Sequence, residues 1–437
     1  MLNGLKNYRI NACLAASFLL AQLISGCAAP TPETVVIADN KRIKIVDNER
    51  IKSVTIWPNT FTVDPKWYGN SHLVVSTSLC DGCSQKLAIT PRDEFEPKVL
   101  SSQPPPPPPT GIGGKREWAA YWDSLPYGKP DIYDHKMVSF YGDQKIGIYD
   151  FKSKKITPVP NDLSIWTQPK FVSDGSRIAF AHRDNTGVIK IIIIDKAGSN
   201  SLILMDEFII EDLRYFIGMA THTHGTTLVY TLSNKSEALL GEIDLRSRRH
   251  VILVKTNEKI GIEPTFLGQW DYLVCDPESV IPEGYTASPA LDKPKYNKNG
   301  SKISYIRSIM GRSHCYPLVD PPIDYEWKTR QLFVYSKATG KIRPVTPHGS
   351  VILASDWYGD ELYFIGSIGS QSGLWHANES GQIKQLLSFV TNKLFGYVEV
   401  SPNGKYITFS DISSRYPIYS GMVGIVHIKP SSRSVLW

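Results

Sequence analysis

The sequence predicts an all-β fold, a single β-propeller of four-stranded blades, and three observations carry that expectation. First, residues 168–204 (QPKFVSDGSRIAFAHRDNTGVIKIIIIDKAGSNSLIL) read as four short strands. Strands at 170–172 and 176–182 flank the hairpin pair Asp174-Gly175, and strands at 188–195 and 201–204 flank Ala197-Gly198. Second, the same plan recurs along the chain. Third, the 437 residues are 42% hydrophobic and include 32 Gly and 30 Pro, enough for a large core divided among many short, turn-linked strands. One four-stranded sheet cannot bury both of its faces, whereas copies stacked radially can. Length alone suggests two or three domains, but a repeat architecture of this length is one body.

Seven units can be laid out from Phe61 onward, with six or eight left open because the second unit and the N-terminal strands are ambiguous. The first carries SHLVVSTS and QKLAI after a turn at Gly69-Asn70. The second carries KMVSF, QKIGIYDF and KITPV, and the third is the stretch above. The fourth has TTLVYTL, ALLGEIDL and HVILV after His224-Gly225. The fifth has SKISYI, QLFVYS and KIRPV, with turns at Asn299-Gly300 and Thr339-Gly340. The sixth has ELYFIG, GLWHA and QIKQLL, with Ser380-Gly381 between the last two. The seventh has KYITFSD, GIVHI and SVLW after Asn403-Gly404.

The chain opens with a leader, residues 1–26. Lys6 and Arg9 precede the apolar run ACLAASFLLAQLI, which is too short to span a membrane and is followed by small residues, the layout of a secretory signal. The tetrapeptide ISGC, ending at Cys27, resembles the lipobox of bacterial lipoproteins, which implies cleavage before Cys27 and lipidation of its sulfur; the alternative is an ordinary signal peptide with an incidental cysteine. Ala28 at the next position implies, for a Gram-negative host, sorting to the outer membrane. Two or three acyl chains would hold the protein on a bilayer without a transmembrane helix. Residues 27–60 then read as a lipidated tether whose segments VVIADN and RIKIVDN are ring-closing strands beside the last blade, and residues 61–437 as the propeller.

SDGSRIAF, NKNGSKISY and SPNGKYITF resemble the repeat of TolB-like propellers, a Ser-Pro-Asp-Gly turn followed by an apolar, aromatic-ended strand. The resemblance covers most of the mature chain and marks a fold more securely than a function. TolB proteins also carry an N-terminal α/β domain, for which this chain has no room, and are not lipidated.

An up-down-up-down blade places its first and third turns on one face of the disc and its second turn and outgoing link on the other. The short glycine turns all belong to the first class. The long connections all belong to the second: the Cys80 to Cys83 region, the proline tract 104–109, residues 275–294, 308–330 and 411–421. Long loops on a rigid scaffold are disproportionately binding surfaces, or are tolerated insertions. Tyr285, Arg312, Tyr316, Tyr325 and Trp327 in these connections are of the types that dominate binding hot spots and form the expected partner surface. Six consecutive prolines at 104–109 predict a stiff polyproline II spur, a spacer or a ligand for a proline-binding groove.

Four cysteines other than Cys27 remain beyond the leader, an even count for an oxidising compartment. Disulfides Cys80–Cys83 and Cys275–Cys315 are the expectation. No thioredoxin-like pattern surrounds Cys80 and Cys83, and Ser84 stands where haem attachment needs His. His222 and His224 share a strand face but have no evident third ligand, so no metal site is assigned. No G-x-S-x-G and no phosphate-binding glycine loop occurs, so no catalytic residue and no cofactor is assigned. The formal charge of +6 contains no dense basic block, which argues against nucleic acid.

The expected function is an outer-membrane-anchored periplasmic lipoprotein, a propeller scaffold for one or more envelope proteins. The competing readings are a lyase- or hydrolase-type enzyme, or a glycan-binding protein, using the mouth of the central channel.

Overall fold

The computed structural model describes residues 35–38, 41–47, 49–60, 63–77, 86–103, 116–117, 119–121, 124–141, 145–160, 165, 167–172, 175–183, 189–196, 202–203, 216–222, 226–233, 238–256, 273–274, 288–312, 316–317, 325–389, 395–411, 414–415, 418–419 and 421–429. Three strands come first: β1 (Val35–Ala38), β2 (Lys41–Ile45) and β3 (Ile51–Thr60). Four meanders follow, each an antiparallel sheet whose strand order is the chain order. They comprise β4 (Val63–Tyr68), β5 (His72–Thr77), β6 (Lys86–Pro91) and β7 (Lys98–Val99); then β8 (Tyr127–Tyr133), β9 (Lys136–Tyr141), β10 (Lys145–Asp150) and β11 (Lys155–Pro158). Next come β12 (Lys170–Val172), β13 (Arg177–Arg183), β14 (Ile189–Asp195) and β15 (Leu202–Ile203); then β16 (Phe216–Thr221), β17 (Thr227–Ser233), β18 (Ala238–Asp244) and β19 (His250–Thr256).

The short strand β20 (Leu273–Val274) precedes a ten-stranded sheet. One antiparallel run in it is β21 (Ser288–Tyr296), β22 (Lys302–Arg312), β24 (Tyr325–Ser336) and β25 (Lys341–Pro344), with β23 (Tyr316–Pro317) inside its second turn. Another is β26 (Val351–Tyr358), β27 (Glu361–Ile368), β28 (Gln371–Ala377) and β29 (Ile383–Phe389). A single parallel bridge, Arg330 to Val351, joins the two runs. β30 (Phe395–Val400), β31 (Tyr406–Asp411), the hairpin strands β32 (Ser414–Arg415) and β33 (Ile418–Tyr419), and β34 (Gly421–Ile428) complete the chain.

The first strands of the meanders touch in cyclic order, β4, β8, β12, β16, β21, β26, β30 and back to β4, which is the arrangement of a propeller around an axis. Strand alternation explains why its blades are apolar on both faces. In β14, Ile192 and Ile194 join Phe171, Phe180, Val138 and Ile146 in the core toward the preceding sheet. Ile191 and Ile193, on the other face, join Leu228, Tyr230 and Leu232 of the following one. The unbroken isoleucine run is therefore what a sheet sandwiched between two others requires.

The N-terminal strands close the ring in a way the sequence reading places differently. β3 pairs with β34 as the outermost strand of the sheet β30-β31-β34, the place assigned to SVLW; residues 434–437 lie outside the described residues. The segment holding RIKI pairs not there but one sheet earlier, β2 on β29, and β1 pairs with β2. β3 supplies ten residues there, and its Ile51, Val54, Ile56 and Trp57 pack into the adjoining cores.

The Asp-Gly and Asn-Gly turns also fasten one blade to the next. Gly175, Gly300 and Gly404 have φ of 72°, 71° and 67°, which glycine adopts without the usual cost. A β-carbon at each would lie 2.4, 2.5 and 2.2 Å from the ring of Tyr133, His222 and Tyr358, respectively. Each ring stands at the end of the preceding innermost strand and lies where the missing side chain would be.

Candidate functional site

The innermost strand of a blade has no partner on its channel side, so proline costs it no ladder hydrogen bond. Pro65, Pro130, Pro169 and Pro294 occupy such strands or their start, and each is followed by a charged residue: Lys66, Asp131, Lys170 and Lys295. Asp356 in β26 and Glu399 in β30 hold the equivalent position without the proline. All six lie within the last three residues of their strands, so they form one level of the channel, near the face of the glycine turns.

Their contacts run between neighbouring blades. Lys66 Nζ lies 3.1 Å from Glu399, Lys170 Nζ 3.5 Å from Asp131 and Lys295 Nζ 2.9 Å from Asp356. The second oxygen of Asp131 accepts the Phe171 amide at 2.9 Å, and that of Asp356 accepts the Val400 amide at 2.8 Å. Lys293 Nζ donates to the Leu353 carbonyl at 2.6 Å. Burial works against the Lys66 ammonium, but Glu399, Asp131 and Asp356 together hold its pKa above the ordinary lysine value. For Lys170 burial prevails and the pKa falls, because Asp131 is offset by the like charges of Lys66 and Lys295. Groups from non-adjacent sheets thus feel one another, as residues lining a shared channel do. Asp131 and Asp356 are held by the next blade's backbone and Glu399 by the next blade's Lys66, so the ring acts first as a set of ties between blades.

A second charged cluster lies where the chain enters β3. Arg50 Nη2 is 3.0 Å from Glu361, the His376 ring is 3.3 Å from the same carboxylate, and the Tyr363 hydroxyl donates to it at 2.9 Å. Burial alone would raise the Glu361 pKa, but His376, Arg50 and Tyr363 bring it down to about 2. A carboxylate depressed on folding stabilises the protein above its unfolded pKa and loses that contribution as pH falls through the folded value. Because the carboxylate is partly exposed, solvent screening leaves only part of this shift as stability. Urea midpoints of the wild type should therefore fall between pH 4.5 and 2, more steeply than those of Glu361→Gln. Parallel loss in the two proteins would remove the carboxylate from this role.

The residues expected to bind a partner are placed only through their backbone. Tyr285 and Cys27, Cys80, Cys83, Cys275 and Cys315 lie outside the described residues, as do the proline tract and His224. Residues 308–330, read as a loop, are strand at both ends: β22 continues to Arg312 and β24 begins at Tyr325. Arg312 pairs with Tyr325, and Trp327 with Met310, on a ladder that extends the second hairpin of its sheet. In β24, Tyr325 and Trp327 alternate with Glu326 and Lys328, a strand pattern. Likewise 288–294 belongs to β21. Tyr316 lies in β23, which pairs with β20, so the link into this sheet and its second turn run side by side. His222 is buried, with its ring edge-on to Tyr296 at 5.5 Å. Among the described residues no group of three or more His, Cys, Asp or Glu could hold a metal ion.

The charged ring escapes a search for catalytic motifs because its members are spread over the chain. The signal that marks it is the recurrence of proline, a charged residue and an apolar or aromatic residue just before the first turn of a blade.

No protein-family model matches the chain, and no curated protein sequence matches it. Solved structures do. An oligogalacturonate lyase in complex with manganese aligns with a TM-score of 0.52 at 12% identity, over 91% of this chain and 97% of the lyase. Oligogalacturonate lyase from Vibrio parahaemolyticus aligns with a TM-score of 0.50 at 9% identity, over 91% of this chain and 96% of its own. TolB from Acinetobacter baumannii aligns with a TM-score of 0.39 at 12% identity, over 84% and 80%. At these identities the likeness to the two lyases is one of fold, a β-propeller.

Proposed function

We propose that this propeller is an exported, lipid-anchored scaffold that binds an envelope protein through the face bearing its long connections. The observation that carries the proposal is the β20–β23 ladder, Leu273 opposite Pro317 and Val274 opposite Tyr316. Two connections from neighbouring repeats, each far longer than a hairpin needs, build a small sheet of their own. A tolerated insertion has no need of such a ladder, whereas a binding surface gains a fixed shape from it. The hairpin β32–β33 adds a second such feature in another second-turn connection.

Cys275 follows Val274 and Cys315 precedes Tyr316 in the sequence, and the expected disulfide joins these two cysteines. A disulfide between them would fix the surface and, closing about 40 residues, add roughly 4 kcal/mol in the chain-entropy account. Cys80–Cys83 is a local bridge. Tyr285, Arg312, Tyr316, Tyr325 and Trp327 supply the amphipathic aromatic and guanidinium contacts that suit a protein or glycan partner. The ring has seven blades when the two antiparallel runs of the ten-stranded sheet are taken separately, a reading supported by the cyclic order of the innermost strands. Cys27 is the acylated residue, after cleavage of residues 1–26, and the anchor is in the outer membrane.

One experiment with three arms tests the proposal: envelope crosslinking of the wild type, of Cys27→Ser, and of a variant with Asn-Gly in place of 275–287 and 313–324. The wild type should incorporate palmitate and recover a crosslinked partner. Cys27→Ser should persist as an unacylated precursor, and the loop variant should stay membrane-bound and folded but lose the partner. Recovery of the same partner by the folded loop variant, or a wild type without acyl label, overturns the corresponding part.

A further inference from the structure

The outer edges of these sheets differ in how they are guarded. β7 and β15 have two residues each, β11 and β25 have four and end in proline, and β1 has four. The longer β3 exposes the polar Lys52, Ser53 and Thr55, and β29 is covered by β2. β19, sequence HVILVKT, is the exception. It has seven residues and no proline, and it exposes Val251 (40%) and Ile252 (43%). Among the described residues no strand pairs with its outer side.

We propose that the outer edge of β19 takes an added strand from a partner protein, an extended segment of alternating apolar residues flanked by carboxylates. The site is separate from the long-connection surface and does not rest on it. That blade edges of this protein accept an added strand is seen on β29, where β2 adds antiparallel with Ile43 opposite Phe389 and Ile45 opposite Leu387. The backbone phase at β19 follows from one hydrogen bond. The Asp244 amide donates to the Arg249 carbonyl at 2.9 Å, so position 249 faces β18, and in an antiparallel ladder 250 and 252 then turn their N–H and C=O groups outward. A bulge opposite Leu240 and Gly241 and the exposed Lys255 limit the far end of the edge, leaving the Arg249–Ile252 end for pairing.

Charge selects the occupant. The turn into β19 is Leu245-Arg-Ser-Arg-Arg249, pinned by Asp244, whose carboxylate accepts the Arg246 and Ser247 amides at 2.9 and 2.7 Å. Arg246, Arg248 and Arg249 are exposed, beside the two exposed aliphatic side chains. Carboxylates next to an apolar run would meet guanidiniums as the run pairs. A second copy of this chain fits less well, because antiparallel pairing of two β19 edges would bring Arg248 and Arg249 toward the other copy's Lys255.

Fluorescence anisotropy with a labelled, end-blocked peptide, Asp-Glu followed by alternating Val and Thr, tests the inference on the full chain. Three comparisons are needed: the same peptide N-methylated at alternate residues, a version with Lys-Lys for Asp-Glu, and the protein variant Ile252→Pro. Binding by the wild type should saturate, fall at least tenfold with the N-methylated peptide and with Ile252→Pro, and weaken for the Lys-Lys peptide in a salt-dependent way. The N-methylated peptide leaves the protein untouched, so a folding defect in the variant cannot imitate the result. No saturable binding at millimolar peptide, equal binding of the N-methylated peptide, or a concentration-dependent dimer lost in Ile252→Pro would overturn it.

Discussion

Gly404→Ala is expected to destabilise the protein by about 2–5 kcal/mol, combining a left-handed backbone cost of about 1–2 with an overpacking cost of about 1–3. The turn is fixed on several sides. The Gly404 amide donates to the Ser401 carbonyl at 2.8 Å, Ser401 and Lys405 bond to Asn403, and the Tyr358 ring lies 2.2 Å from where the new β-carbon would be built. Tyr358 is partly buried against the core between its own sheet and the next, so a displaced ring gives up part of that contact. Gly340→Ala is the matched control, with φ of 64° and nothing within 4 Å of its added carbon. It should lose only the backbone part, about 1–2 kcal/mol. Urea unfolding of both, and of Tyr358→Ala with Gly404→Ala, separates the contributions, since the double variant should recover part of the overpacking cost. Equal losses for Gly404→Ala and Gly340→Ala would mean that the turn glycine is only a turn.

The repeat was legible because its determinants are local. Alternation within Ser-Arg-Ile-Ala-Phe and the turn at Asp174-Gly175 fix a hairpin whatever surrounds it, and β12 to β15 occur where 170–204 reads as strands. Ring closure was not, because it depends on a pairing across nearly the whole chain. Nothing in IKSVTIWPNT states that Val54 will face Val426. The sequence shows the glycine turns only as hairpin turns; that Tyr133, His222 and Tyr358 use the missing side chain is a relation between consecutive blades. The charged ring was hidden for the same reason. Lys66 and Glu399 meet only once the circle is complete, although Pro65-Lys66, Pro130-Asp131, Pro169-Lys170 and Pro294-Lys295 are visible as a recurring pair once a channel edge is known to tolerate proline. The strand ends beyond the disc were not legible, because 308–330 reads as one long connection, whereas β22 continues to Arg312 and β24 begins at Tyr325.

Asp292→Ala should cost about 3–5 kcal/mol, the usual consequence of leaving one member of a buried ion pair without the other. Arg330 and Asp292 keep only 5% and 12% of their side-chain surface, with Arg330 Nη2 donating to Asp292 at 3.1 Å. Arg330 Nε donates to the Ile352 carbonyl at 2.9 Å, and its backbone amide to the Ser350 carbonyl at 2.9 Å. The residue therefore sits on the one bridge that joins the run β21 to β25 with the run β26 to β29. Burial pulls the guanidinium pKa below its ordinary value and Asp292 works against that pull, so removing the carboxylate leaves a desolvated cation facing the junction of two blades. Replacing both groups, Asp292→Leu with Arg330→Met, should restore much of the loss because no charge then remains to be solvated. Urea unfolding of the single and double variants, with near-ultraviolet circular dichroism to follow Trp357 and Trp375 in the adjoining core, reads both predictions. A single variant within about 1 kcal/mol of the wild type, or a double variant less stable than the single, would show that the pair does not hold these blades together.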